Sequence, residues 1–242
     1  IDGPLRGACA LRVKVKLDTP LGLNIPNDLP DTLPVLPLRQ GFLLPGLMSP
    51  FTVGRGESLR ALSQAHNGWL IVALQRKPTA DIDPDGLLEV AVLAKVVQNL
   101  GERNNMRAVA IQGAARVHLK DTEVVQDILQ SSYALVDNTW PDSYAASGAR
   151  RALVQAASDL VEHLQDELPI AAVASQVDDP SLLTDLAAAL VESDIGFKRA
   201  VLLELDPVKR TEMVLQRLTS RMEEISAQRS IVNRVKSDAQ SL

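Results

Sequence analysis

Apolar and polar positions alternate over "LRVKVKL" (residues 11–17): Leu11, Val13, Val15 and Leu17 stand against Arg12, Lys14 and Lys16, the period of two that a half-exposed strand requires. The period is lost in the following "DTPLGLNIPNDLPD", so residues 1–32 read as a lead-in and linker with one strand. From Leu33 the apolar residues gather into short runs: "VLPLR", "FTVG", "GWLIVAL", "LLEVAVLAKVVQNL" and "MRAVAIQGAARVHL", with "GERNN" as a hairpin connection. These predict five strands of a β-rich lobe over residues 33–140. Within it, "GESLRALSQAH" sets Leu59, Leu62 and Ala65 or His66 at helical spacing, which predicts one short helix between strands. "DILQSSYALVD" fits either period; it is read as a closing strand, because Trp140-Pro141 then marks the change to helix.

Beyond that point Ala, Leu, Glu, Gln and Arg dominate, all good helix formers. Residues 141–206 therefore form a helical lobe. "SGARRALVQAASDLVEHLQDEL" repeats Ala149, Leu153, Ala156, Leu160 and Leu164 on one face. Asp179-Pro180 and Asp206-Pro207 each pair an N-cap with a proline at the first helical position. The first opens a helix over "SLLTDLAAALVE". The second opens one spanning 207–242, about 50 Å if unbroken, with Val208, Leu215, Leu218, Met222, Ile225 and Val232 three and four apart. The fold class that follows is α+β, in two compact lobes.

Charge and residue counts narrow the chemistry. With 25 basic and 30 acidic residues among 242, the net charge of -5 repels nucleic acid. One cysteine, Cys9, excludes an internal disulfide, and His66, His118 and His163 are too scattered for a metal site. These counts fit a reducing cytoplasm. Arg39, Gln40 and the prolines interrupt the apolar stretch that opens at Leu33, well short of the roughly 20 residues of a spanning helix. A first residue of Ile1, with no secretory signal pattern behind it, reads as a trimmed or fragmentary chain.

Two motifs fail on closer reading. "DIDPDG" (81–86) begins like a calcium loop, but its twelfth position is Val92, where a bidentate Glu is required. It reads as an acidic turn between strands. "GRGES" (54–58) has two glycines of a dinucleotide loop and lacks the third, so it reads as a turn entering a helix, with Glu57 near the positive end. No nucleophile, base and orienting group assemble, no phosphate-loop motif is present, and neither a cofactor nor a metal is expected. Seven basic and four acidic residues in 207–242 interleave with an apolar seam. That pattern suits helix packing, and makes Leu215, Leu218, Met222, Ile225 and Val232 candidates for self-association or docking. With seven aromatics in the whole chain, Trp69 and Trp140 are expected to anchor the two lobes.

Four ordered segments resemble the N-terminal domain of Lon, the ATP-dependent protease. They are "LPVLPLR" followed by a Pro and "FTVGR"; "IQGAARVHL" with Gly113 and Arg116, where Gln112 replaces the usual Glu; "DDPSLLTDLAAAL"; and "VLLELDPVKRTEMVLQRLTSRMEEI" with "RSIVNRV". The resemblance implies a PUA-like β lobe, a helical lobe and a long helix leading to a motor and a protease that the chain does not contain. It implies a non-catalytic module that recognises unfolded or damaged protein substrates and supports a homohexamer. Apolar residues around the first loop, Phe42, Leu44, Met48 and Phe51, become candidates for client contact, with Arg55 and Glu57 as a polar rim. The bland reading places all four apolar residues in the core. The runner-up from another class is a free-standing PUA-like domain binding RNA or a small molecule.

Overall fold

The first strand, β1 (Thr32–Leu38), contains Pro34 and Pro37, and its pairing explains how it tolerates them. Thr32–Pro34 pair with one neighbouring strand and Val35–Leu38 with another, so each half of β1 has a partner on one side only. A proline costs a ladder bond only where its missing N–H faces a partner. This computed structural model describes residues 22–39, 41–77, 83–164, 177–191 and 194–240, without the side chains of 160–164, 190–191 and 232–240. The lead-in strand expected at 11–17 lies outside the described residues. Part of the expected linker is not idle: Leu23, Ile25 and Leu29 pack against the sheet.

Five more strands follow: β2 (Met48–Val53), β3 (Trp69–Leu74), β4 (Val90–Arg103), β5 (Met106–Val125) and β6 (Ile128–Leu135). Their order is β2-β5-β4-β3-β1-β6, and β5 pairs again with β6, closing the sheet on itself. All neighbours are antiparallel except β1 and β3. The 20-residue β5 serves two partners in succession on one side, β2 along its first part and β6 along its second. Three register shifts in the β4–β5 ladder admit the curvature that closure needs. The β4–β5 hairpin turns at Asn104 and Asn105, both at positive φ (52° and 58°), as a tight two-residue turn demands. "DILQSSYAL" is the closing strand that the sequence pattern favoured.

β3 is buried on both faces, which is why its sequence runs apolar without alternation. Trp69, Ile71 and Ala73 join Leu33, Val35, Leu93, Val117 and Leu129 in one cluster; Leu70, Val72 and Leu74 belong to a second. That second cluster runs on through Leu153, Leu183, Val201, Val214 and Leu218. The helices thus share a core with one face of the sheet and do not enclose a separate one. Trp69, expected to anchor the lobes together with Trp140, sits among sheet residues at 1% exposure. Trp140 is half-buried in the connection that leads into the helices.

The helices are α1 (Gly56–Ser63), α2 (Tyr144–Leu164), α3 (Pro180–Val191), α4 (Ile195–Leu203) and α5 (Pro207–Gln240). Asp179 Oδ1 accepts from the Ser181 amide, and Asp206 Oδ1 from those of Val208 and Lys209, so both Asp-Pro starts are true caps. α4 is an addition to the sequence reading, capped by Asp194 on the Gly196 amide at 2.8 Å. α5, at 34 residues, is about 51 Å long. α2 and α3 pack along it, and Val214, Leu218 and Ile225 are its buried apolar contacts among the described side chains. Beyond Ile225 the described side chains are exposed. Among the described residues no helix is long and apolar enough to cross a membrane.

Candidate functional site

The apolar loop before β2 is pinned to the sheet by a glycine. Gly46 donates to the Gly113 carbonyl and Gly113 to the Leu47 carbonyl, both at 2.9 Å, and a Cβ at Gly113 would lie 2.4 Å from the Leu44 oxygen. The backbone reaches β5 only because position 113 has no side chain. This approach drives Leu43 and Leu44 into the core at 1% and 0% exposure. Leu44, expected as a contact residue, is therefore a core residue. Phe42 is half-buried with the Lys198 ammonium 4.0 Å from its ring centre, so α4 already occupies one face of it. Met48 and Phe51 remain half-exposed on β2. Past the end of β2 the β4–β5 hairpin presents Leu100 and Met106 at 40% and 45% exposure, with Met106 over Gly54, while Met48, opposite Gln112, lies at the other end of the strand. Sequence reading missed this second apolar element; its signal was two large apolar residues flanking an otherwise polar turn.

A cleft of about 190 Å³ lies between the C-terminal half of β1 and the corner where β2 enters α1. Arg55 is central to it. Its Nη2 donates to the Pro37 carbonyl at 2.9 Å, and its Nη1 lies 3.6 Å from Glu57 Oε1, with both side chains partly exposed. Burial and the neighbouring Arg39 cation push this guanidinium below its ordinary value, and Glu57 pulls it back. Arg39, Phe51 and Ser58 also line the cleft. Arg55 and Glu57, singled out together from the sequence, are thus a pair; Arg39 and Ser58 are additions that only the packing supplies.

The sheet and the helices are joined by a buried ionic cluster. Arg116 on β5 grips Asp185 on α3 through both Nη atoms and donates to the Val201 and Leu202 carbonyls at 3.0 and 3.1 Å. Arg210 on α5 lies 3.6 Å from the same carboxylate and donates to the Glu204 carbonyl and to Asn138 Oδ1. Burial and the Arg116 charge push Arg210 down to about 10, against the pull of Asp185, so it stays a cation at neutral pH. Thr184 and Thr211 hydroxyls meet at 2.7 Å beside this cluster. One carboxylate between two guanidiniums, with carbonyls taking most of the other donors, offsets much of the cost of burying charge; Arg210 Nε keeps only its 3.6 Å ionic contact with Asp185 and makes no hydrogen bond.

The remaining candidates part ways. Leu218, expected for docking, is wholly buried within the chain, and Ile225 is 8% exposed. Leu215 and Met222 pack partly on the same core, and the Val232 side chain lies outside the described residues. In the acidic turn Asp83 accepts from the Asp85 and Gly86 amides. Among the described residues no three His, Cys, Asp or Glu side chains gather as metal ligands; Cys9 and the side chain of His163 lie outside them.

The family model described as the substrate-binding domain of ATP-dependent protease La (LON) matches residues 32–220. Among curated proteins, a Lon protease of Dictyoglomus thermophilum is 25% identical over 221 residues, 89% of this chain. Lon protease 2 of Myxococcus xanthus is 27% identical over 245, or 98%. The chain spans 28% and 29% of the length of these two relatives. Two solved structures share the fold at 16% identity. The N-terminal domain of a Mycobacterium avium complex Lon protease has a TM-score of 0.65, covering 78% of this chain and 98% of that one. The Lon N-terminal domain protein of Xanthomonas campestris has 0.55, covering 76% and 97%.

Proposed function

The chain belongs to the Lon substrate-binding domain family, and from that premise we propose that it recruits unfolded or damaged polypeptides by binding, without chemistry of its own, to a Lon-type motor and protease. The observation that carries this reading is the exposed apolar hairpin tip of Leu100 and Met106, next to the edge strand β2 along which Met48 and Phe51 are half-exposed. Unfolded chains differ from folded ones chiefly in the apolar side chains they expose, and a flexible methionine surface accepts many such sequences. Phe42 belongs to the rim of this surface; Arg55 and Glu57 border it on the polar side.

Supporting a homohexamer in a cytoplasmic enzyme is the second half of the proposal. The length of α5 beyond Ile225, the last buried residue among the described side chains, favours it, with Ile231 at 61% exposure. Leu215, Leu218, Met222 and Ile225 serve this chain's own core, so docking falls to the distal stretch that includes Ile231 and Val232. Several weakly binding copies in one ring would hold a client by avidity.

The test is fluorescence anisotropy of a labelled, permanently unfolded protein titrated with the chain, beside its folded counterpart and a labelled RNA. Binding of the unfolded protein alone, at tens of μM or about -6 kcal/mol, supports recruitment. Salt-sensitive binding of RNA alone would instead favour the PUA-like nucleic-acid reading.

A further inference from the structure

The cleft beside Arg55 is built for something the apolar residues of β2 and the hairpin do not explain. Ser58 is 3% exposed and lines the cleft, and its Oγ has no hydrogen-bond partner among the described residues. Arg55 Nη1 is likewise buried without a hydrogen bond, with Glu57 only in ionic range. The N-cap side chain leaves the first turn of α1 uncapped, and the first amide with an intrahelical acceptor is that of Leu59. A hydroxyl and a guanidinium nitrogen on residues that line the cleft therefore stand with their donors unspent, beside an uncapped helix N-terminus. Arg39 adds a second positive charge.

We propose that this cleft is a carboxylate site, filled by the free C-terminus of a client chain; the assignment of a client rests on the recruiting role argued above. Size sets the first limit: at about 190 Å³ the cleft is below the roughly 300–1,000 Å³ of a cofactor pocket. Charge sets the second. Arg39 and Arg55 against Glu57 leave one net positive charge, matched to a monoanion, and the Glu57 carboxylate penalises a dianion such as phosphate. The walls set the third. Leu36, Leu38, Phe51 and Val53 surround the polar end, so the last residue of the client is apolar. Pro37 sets the fourth. It has no N–H to offer, and its carbonyl is already taken by Arg55, so strand addition along this edge of β1 is cut short and recognition concentrates on the carboxylate.

The experiment is calorimetric titration of the chain with N-acetylated pentapeptides ending in leucine, as free acids and as amides, beside acetate, inorganic phosphate and the unfolded client. The acid should bind at least about tenfold more tightly than the amide, the worth of hydrogen bonds to a charged group. Ser58→Ala should weaken the acid about three- to tenfold without lowering Tm, since the hydroxyl it removes has no partner in the fold. Arg55→Gln should weaken it further, but that change also removes the bond to Pro37, so Ser58→Ala is the deciding variant. Equal binding of acid and amide, indifference to Ser58→Ala, or phosphate binding more tightly than the acid each overturns the site. If the unfolded client still binds in that case, recruitment stands and only the carboxylate site falls. If neither peptides nor client bind, both readings fall.

Discussion

Arg116 and Asp185 are 69 residues apart in the chain and meet end to end in the core, guanidinium to carboxylate, at 2.5 and 2.7 Å with at most 1% of either side chain exposed. This contact joins the strand to the helices, and Arg116 also holds the carbonyls at the end of α4. Breaking one partner leaves the other charged and buried. Asp185→Ala is expected to cost about 3–5 kcal/mol in denaturant unfolding. Hydrogen exchange should rise first in α4, whose C-terminal carbonyls then lose their fixed donor. Exchange that rises uniformly would show that Arg116 keeps its place without the carboxylate.

Gly113→Ala should destabilise by about 1–3 kcal/mol, because the new methyl group meets backbone and not a movable side chain. Gly148→Ala, in α2 with nothing within 4 Å of its Cβ, should stabilise by up to about 1 kcal/mol. Thermal unfolding of the two variants compares a glycine held for space with one that is not.

Leu44→Ala should cost about 2–5 kcal/mol as a core cavity, whereas Met48→Ser and Met106→Ser should leave the circular dichroism spectrum and Tm unchanged while weakening the unfolded client severalfold. Anisotropy and thermal melts on the same preparations separate the two effects. Loss of folding in Met48→Ser would place that residue in the core with Leu44.

Asp137 accepts hydrogen bonds from the Thr139 hydroxyl and amide, which hold its carboxyl below the ordinary 3.8. A depressed carboxylate contributes stability that is whole above the unfolded value and lost as pH falls through the lower folded value. The effect is confined to acid below about pH 4. Thr139→Val should return the Asp137 titration towards its ordinary value in a carboxyl NMR experiment. Asn138, between these residues, is the acceptor for Arg210, so the same variant should loosen that contact.

Leu218→Ala should destabilise the chain by about 2–5 kcal/mol, in keeping with its complete burial. Ile231→Ser should leave stability unchanged and reduce any self-association seen by sedimentation velocity. The reverse pattern would return the docking surface to the apolar seam first read from the helix.

Local pattern was enough for the elements. Short apolar runs, period 3.6 and Asp-Pro starts are properties of a single segment, so β1 to β5, α1 and the two helix starts could be read without knowing what they pack against, while β6 fitted either period and was read from the Trp140-Pro141 that follows it. α4 escaped because its nine residues, broken by Gly196, are too short for a period to emerge from "IGFKRAVLL". The residue motif around Gly113 and Arg116 was visible as a pattern, but its physical meaning was not. Gly113 matters because a loop from 67 residues earlier crosses it, and Arg116 because α3, α4 and α5 converge on it.

Tertiary packing alone decided which apolar residues are surface. Leu44 and Met48 are four positions apart in one apolar run, yet the first is at 0% exposure and the second half-open, because Gly113 lets the backbone descend at one and β2 rises along the sheet edge at the other. The cleft is of the same kind: Pro37, Arg55 and Ser58 meet only when β1 and the β2–α1 corner are laid side by side. Sequence determines what each segment prefers to be, since that preference is local. Burial and the meeting of distant donors belong to pairs of segments, and exist only once the chain has closed on itself.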